Sequence, residues 1–145
     1  MKGMYATAGF EPPHAYYTEM VIATARLQVL RRPLDPMQRL WLGEVLNEAG
    51  DRAGAEASYR SALELEPNLA AARFGLARLA AAAGRKAEGC GEVSLALKAA
   101  ALPVENGYQR GVTRLEDRYA AEKLREGLCG KKKAGGATAP GRKTR

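Results

Sequence analysis

Two consecutive blocks of the chain echo each other at one fixed offset. Residues 36–69 read PMQRLWLGEVLNEAGDRAGAEASYRSALELEPNL, and residues 70–103 read AAARFGLARLAAAAGRKAEGCGEVSLALKAAALP. Sliding the first onto the second lays Leu42 on Leu76, Leu46 on Ala80, Gly50 on Gly84, Ala62 on Ala96 and Leu63 on Leu97. A glycine just past a helix end readily adopts the left-handed conformation that closes it, so Gly50 and Gly84 mark the turn between a first and a second helix in each block. Such a hairpin cannot bury its apolar face alone; neighbouring hairpins must stack and share a core.

Composition points the same way. The chain holds 28 Ala and 17 Leu against six Val and one Ile. Helices favour the first pair and strands the second, so the expected fold is all-α. At 145 residues there is room for one ordinary domain, and a barrel of about 250 residues does not fit.

The 34-residue helix-turn-helix period is that of the tetratricopeptide repeat, and the first block resembles that family at Leu42-Gly43, Gly50-Asp51, Ala55, Tyr59, Ala62-Leu63, Leu65 and Pro67. Gly43, Ala55 and Ala62 are small where two antiparallel helices must approach closely. Arg39 stands where the family usually has an aromatic residue, with Trp41 two positions later. The second block is degenerate: Ala77 replaces Gly43, Gly89 replaces Ala55, Val93 replaces Tyr59 and Ala101 replaces Pro67. The resemblance implies a short α-solenoid of antiparallel helix pairs.

The flanks supply further helices. Tyr16, Met20, Ala23, Leu27 and Leu30 follow a three-four spacing on one face of a helix from Pro13 to Arg32, ended by Pro33. Asp35 offers a side-chain acceptor to the next helix, which Pro36 begins. Beyond Pro103, the residues Tyr108, Val112, Leu115, Tyr119 and Leu124 predict one capping helix over 104–126 with a polar outer face. Two repeats are fewer than the roughly three that such arrays need, so these helices, or failing them a homodimer, should complete the stack. The expected organisation is a flexible segment 1–12, a helical domain 13–126 and a disordered basic tail 127–145.

The net charge of +7 is concentrated in that tail, where Lys131, Lys132, Lys133, Arg142, Lys143 and Arg145 meet no acidic residue. Without those six the remainder carries only +1, so the net charge says nothing about a basic binding face on the domain. Residues 136–144 loosely imitate a phosphate-binding loop, but Arg142 stands at the lysine position and no helix follows.

Catalytic constellations are scarce. The chain has one histidine, His14, and three serines, Ser58, Ser61 and Ser94. His14 with Cys90 and Cys129 falls short of the four ligands of a structural zinc site, so neither metal nor cofactor is expected. Glu44 with Glu48, and Glu64 with Glu66, read as solvated carboxylates with no apolar pocket signature around them. The chain is expected not to be an enzyme. No secretory leader or membrane-length apolar run stands out, so the default compartment is cytoplasmic with reduced thiols; a periplasmic or secreted protein whose leader was removed would instead join Cys90 to Cys129.

In the family that the first block resembles, first helices of successive repeats line a groove that holds a partner peptide or helix. Carried over, the groove residues are Met37, Leu40, Glu44 and Asn47, then Phe74 and Arg78, with Tyr108 and Val112 added by the terminal helix. Leu40, Phe74 and Tyr108 recur at intervals of one repeat and should form an apolar ladder beside Glu44 and Arg78. In so short an array the three can equally be core. The resemblance thus implies an adaptor, scaffold or assembly factor that binds a protein. The alternative is a nucleic-acid or anionic-surface binder acting weakly through the tail, where no aromatic residue interleaves the basic ones to read sequence.

Overall fold

The computed structural model describes residues 14–130 of the chain, and these are all-α, with no strand among them. The helices are α1 (His14–Arg31), α2 (Pro36–Glu48), α3 (Arg52–Leu65), α4 (Ala70–Ala82), α5 (Lys86–Ala100), α6 (Gly107–Val112) and α7 (Arg118–Cys129). The expectations for residues 1–12 and for the basic residues from Lys131 onward lie outside the described residues, as do the side chains of His14 and Tyr16.

Two hairpins form the centre, α2 with α3 and α4 with α5, and each helix of the second begins 34 residues after its counterpart in the first. Gly50 and Gly84 take positive φ values of 93° and 80° at the two turns. The amides that follow bond back across each helix end, Asp51 to the Leu46 carbonyl and Arg85 to the Ala80 carbonyl, which satisfies carbonyls the helix leaves open. Asp35 caps α2 by accepting from the Met37 amide at 2.9 Å, with Pro36 in the first turn, and Asp51 caps α3 by accepting from the Gly54 amide at 2.9 Å.

Packing runs from neighbour to neighbour: α1 on α2, α2 on α3, α3 on α4, α4 on α5 and α5 on α7, with α2 also touching α4. Ala25, Tyr59 and Val93 stand 34 residues apart in succession, and all three are fully buried, on α1, α3 and α5. One apolar cluster gathers Leu40, Leu46, Tyr59, Leu69, Leu76 and Leu79, and a second gathers Ala77, Val93, Leu97 and Ala121. Arg39 donates to the Ser61 hydroxyl and, at 2.7 Å, to the Pro33 carbonyl. It thereby ties the α1–α2 connection to α3 by hydrogen bonds.

Three expectations need correction. The capping helix over 104–126 is two helices: α6 stops when the Thr113 amide and hydroxyl both bond the Gln109 carbonyl, and α7 starts afresh where Asp117 accepts from the Ala120 amide at 2.8 Å. A local cap outcompetes one continuous apolar stripe. The second helix runs to Cys129, so residues 127–129 belong to the domain and not to the tail. On α1, the stripe of Met20, Ala23, Leu27 and Leu30 lies on one face, but that face is exposed, and the helix buries Ala25 and packs Ile22 instead.

The two cysteines meet, as in the alternative that joins Cys90 to Cys129. α7 folds back along α5 and brings Cys129 over Cys90, with Cα atoms 5.1 Å apart and the sulfurs bonded as a disulfide. It closes a chain segment with a sequence separation of 39. In the chain-entropy picture a loop of that length is worth on the order of 3–4 kcal/mol.

Candidate partner groove

The face shared by α2 and α4 holds most of the expected groove residues, and its construction starts beneath it, with Tyr59. This ring reaches up from α3 and passes between the two first helices. A β-carbon on Gly43 of α2 would lie 2.7 Å from the ring, and one on Gly75 of α4 would lie 2.5 Å from it, distances no real side chain tolerates. Two glycines therefore form the slot, and one aromatic ring sets the spacing of the helices that carry the site.

The Tyr59 hydroxyl is buried and has no hydrogen-bond partner among the described residues. Burial pushes the phenol far above its ordinary range, and the negative charge of Glu44 pushes it further without forming a hydrogen bond. Glu44 of α2 and Arg78 of α4 meet with an N···O separation of 3.7 Å, both side chains about two-fifths exposed. Arg78 also lies over the Phe74 ring, 4.9 Å from its centroid. A cation held both by a ring face and by a carboxylate is positioned but still open to solvent. The face thus offers a guanidinium donor, a carboxylate acceptor and an aromatic surface side by side.

The other predicted positions divide. Met37 is half-buried against the first apolar cluster, and Asn47 is half-buried near the end of α2. Leu40 is a member of that cluster, and Val112 is buried at 3% exposure, so both are core. The ladder of Leu40, Phe74 and Tyr108 does not form a uniform row. Leu40 is buried, Phe74 is half-buried against the second cluster, and Tyr108 is 57% exposed. Tyr108 donates at 2.9 Å to Glu66, just past the end of α3, because the short α6 does not extend the array as a full first helix would.

Sequence reasoning missed Gly75, since the alignment of the two blocks pairs Gly43 with Ala77. The only available signal was a lone glycine in the otherwise Ala-rich first helix of the second block. A small pocket elsewhere, lined by Pro67, Arg73, Leu95, Lys98 and Leu102, includes none of the predicted site residues. Among the described residues no group of three or more His, Cys, Asp or Glu side chains could hold a metal ion, and no helix is long and apolar enough to cross a membrane. Set against models of known protein families the sequence matches none, and no curated protein matches it.

Proposed function

We propose that this chain is a non-enzymatic interaction module, an adaptor or assembly factor of tetratricopeptide-like design, which holds a protein segment against the face shared by α2 and α4. The observation that carries this reading is the Phe74–Arg78–Glu44 set, which joins two helices across the Tyr59 slot while staying open to solvent. A partner brings apolar surface to Phe74 and Met37 and exchanges hydrogen bonds with Arg78 and Glu44. Leu40 and Val112 serve as support beneath the face, and Tyr108 lies at its edge. The sequence resemblance to a peptide-binding repeat family is a second, independent support. The Cys90–Cys129 disulfide favours an oxidising compartment over the cytoplasm, since such bonds persist where thiols are not kept reduced.

The test is capture with the nuclease-treated full chain as bait, followed by the Phe74→Ala, Arg78→Ala double variant. A specific protein should be retained by the first and lost by the second, with helical circular dichroism unchanged. Equal retention by both sinks the assignment of the face. Thiol trapping on protein taken from its source should find no free thiol; two free thiols refute the compartment.

A further inference from the structure

The helix α1 carries apolar side chains on two opposite sides, and only one of them is covered. Ala25 is fully buried and Ile22 packs into the first cluster. On the opposite side Met20, Ala23, Leu27 and Leu30 recur at alternating steps of three and four, with Leu34 just past the helix end. Met20 and Leu27 are about half exposed, while Leu30 and Leu34 are 77% and 79% exposed. A mean step midway between three and four is the pattern that keeps an apolar seam facing a second helix along its whole length.

We propose that this seam is a self-association surface, covered by α1 of a second copy of the chain packed antiparallel. Three observations select that occupant. First, the seam is complementary to itself. An antiparallel pairing centred at the level of Ala25 sets Met20 of one copy beside Leu30 of the other, and the small Ala23 beside the larger Leu27, as a closed two-fold contact requires. Second, the charges on α1 are polarised along the helix: Glu19 stands near its start, Arg26 and Arg31 lie in its second half, and none of the three forms an ion pair among the described residues. Glu19 and Arg26, seven residues apart, lie on one edge of the seam and Arg31 on the other; antiparallel packing sets each edge against itself, so Glu19 of each copy faces Arg26 of the other, twice by symmetry, whereas parallel packing sets Arg26 against Arg31. Third, the opposite end of the array, as far as the described residues reach, carries no matching seam. The outer side of α7 exposes Arg118, Glu122, Lys123 and Glu126 around the single ring of Tyr119, which Lys123 overlies, so association through α1 closes at two copies instead of propagating head to tail.

This surface is separate from the face shared by α2 and α4, and a dimer would present two such faces. The experiment is sedimentation equilibrium of the full chain over a wide concentration range, repeated on Leu27→Glu, Leu30→Glu. The wild-type chain should shift with concentration from one to two chain masses. The double variant should remain at one chain mass with unchanged helical circular dichroism, because both side chains are exposed. If that variant does not fold, Leu30→Lys alone, at one of the most exposed seam positions, serves in its place. Glu19→Arg should weaken the dimer about two- to fivefold, the scale of two helix-surface ion pairs, and Glu19→Arg with Arg26→Glu should restore it. A wild-type chain that stays monomeric overturns the proposal and leaves the seam to a helix of another protein. Dimers that survive both seam variants also overturn it, and a charge swap without recovery overturns the antiparallel arrangement.

Discussion

The two hairpins occupy equivalent places in the chain yet fill their cores in opposite ways. At the centre of the first stands Tyr59, and at the corresponding place in the second stands Val93, both fully buried. The large ring is accommodated by removing side chains around it, at Gly43 and Gly75. The small valine faces Ala77 and leaves less apolar volume, and α7 supplies Ala121 and Leu124 from the far side together with the disulfide. The difference teaches that what the repeat spacing preserves is a location in the packing, while the volume there is free to vary if its neighbours compensate. The first hairpin holds by close packing, the second by a covalent staple.

That contrast can be broken at its centre. Tyr59→Ala should cost about 3–5 kcal/mol, the scale for emptying a buried aromatic site, and leave the chain largely unfolded by circular dichroism. Val93→Ala should cost about 2 kcal/mol, since it removes far less. Equal losses would mean that the two places are not carrying different loads. The staple comes next. Cys129→Ser, or reduction of the wild-type chain, should lower stability by about 2–4 kcal/mol in a thermal melt, with α7 lost first. A melt indifferent to reductant would remove the disulfide from the account.

Smaller effects sharpen the same comparison. Gly75→Ala should cost about 1–3 kcal/mol by overpacking against Tyr59, and much less when Tyr59 is replaced by Val, the residue the second hairpin uses. A double-mutant cycle on chemical denaturation reads the coupling. Tyr59→Phe removes a hydroxyl that is buried without a partner, so stability should hold or rise by about 1 kcal/mol. The smallest effect lies in the ion pairs that join α3 to α5, where Arg60 bridges Glu56 at 2.8 Å and Glu88 at 2.9 Å, and Arg85 contacts both. The hydrogen bond from Arg60 holds the Glu56 carboxyl below its ordinary range. Its contribution is therefore complete above the ordinary carboxylate value and disappears as pH falls through the lowered one. Glu56→Gln should flatten that acid limb by less than about 1 kcal/mol, because the pair is partly exposed.

Local chemistry was the readable part of the sequence. Gly50 and Gly84 close their helices by backbone conformation, and Asp35 caps by a bond to an amide just ahead of it, so each is decided by its immediate neighbours. The approach of Glu44 to Arg78 was also legible, since equal offsets along stacked helices bring such positions together. What escaped was tertiary. Gly75 matters through Tyr59, which lies on another helix, and shifting the sequence by one repeat does not pair them. On α1 two apolar stripes compete, and the three-four spacing of the bulkier one does not say which side is covered. The small Ala25 side won because it lets the helix come close to α2. The break between α6 and α7 turned on Asp117, which reads as one more charge on a polar face until its carboxylate is seen capping a helix.

The disulfide also changes what a cut in the backbone means. Residues 101–106, between α5 and α6, are exposed throughout. A protease entering there would sever the chain between Cys90 and Cys129, yet the fragments would migrate as one species on a non-reducing gel and separate only with reductant. The last helix of this protein can be nicked away from the array without leaving it.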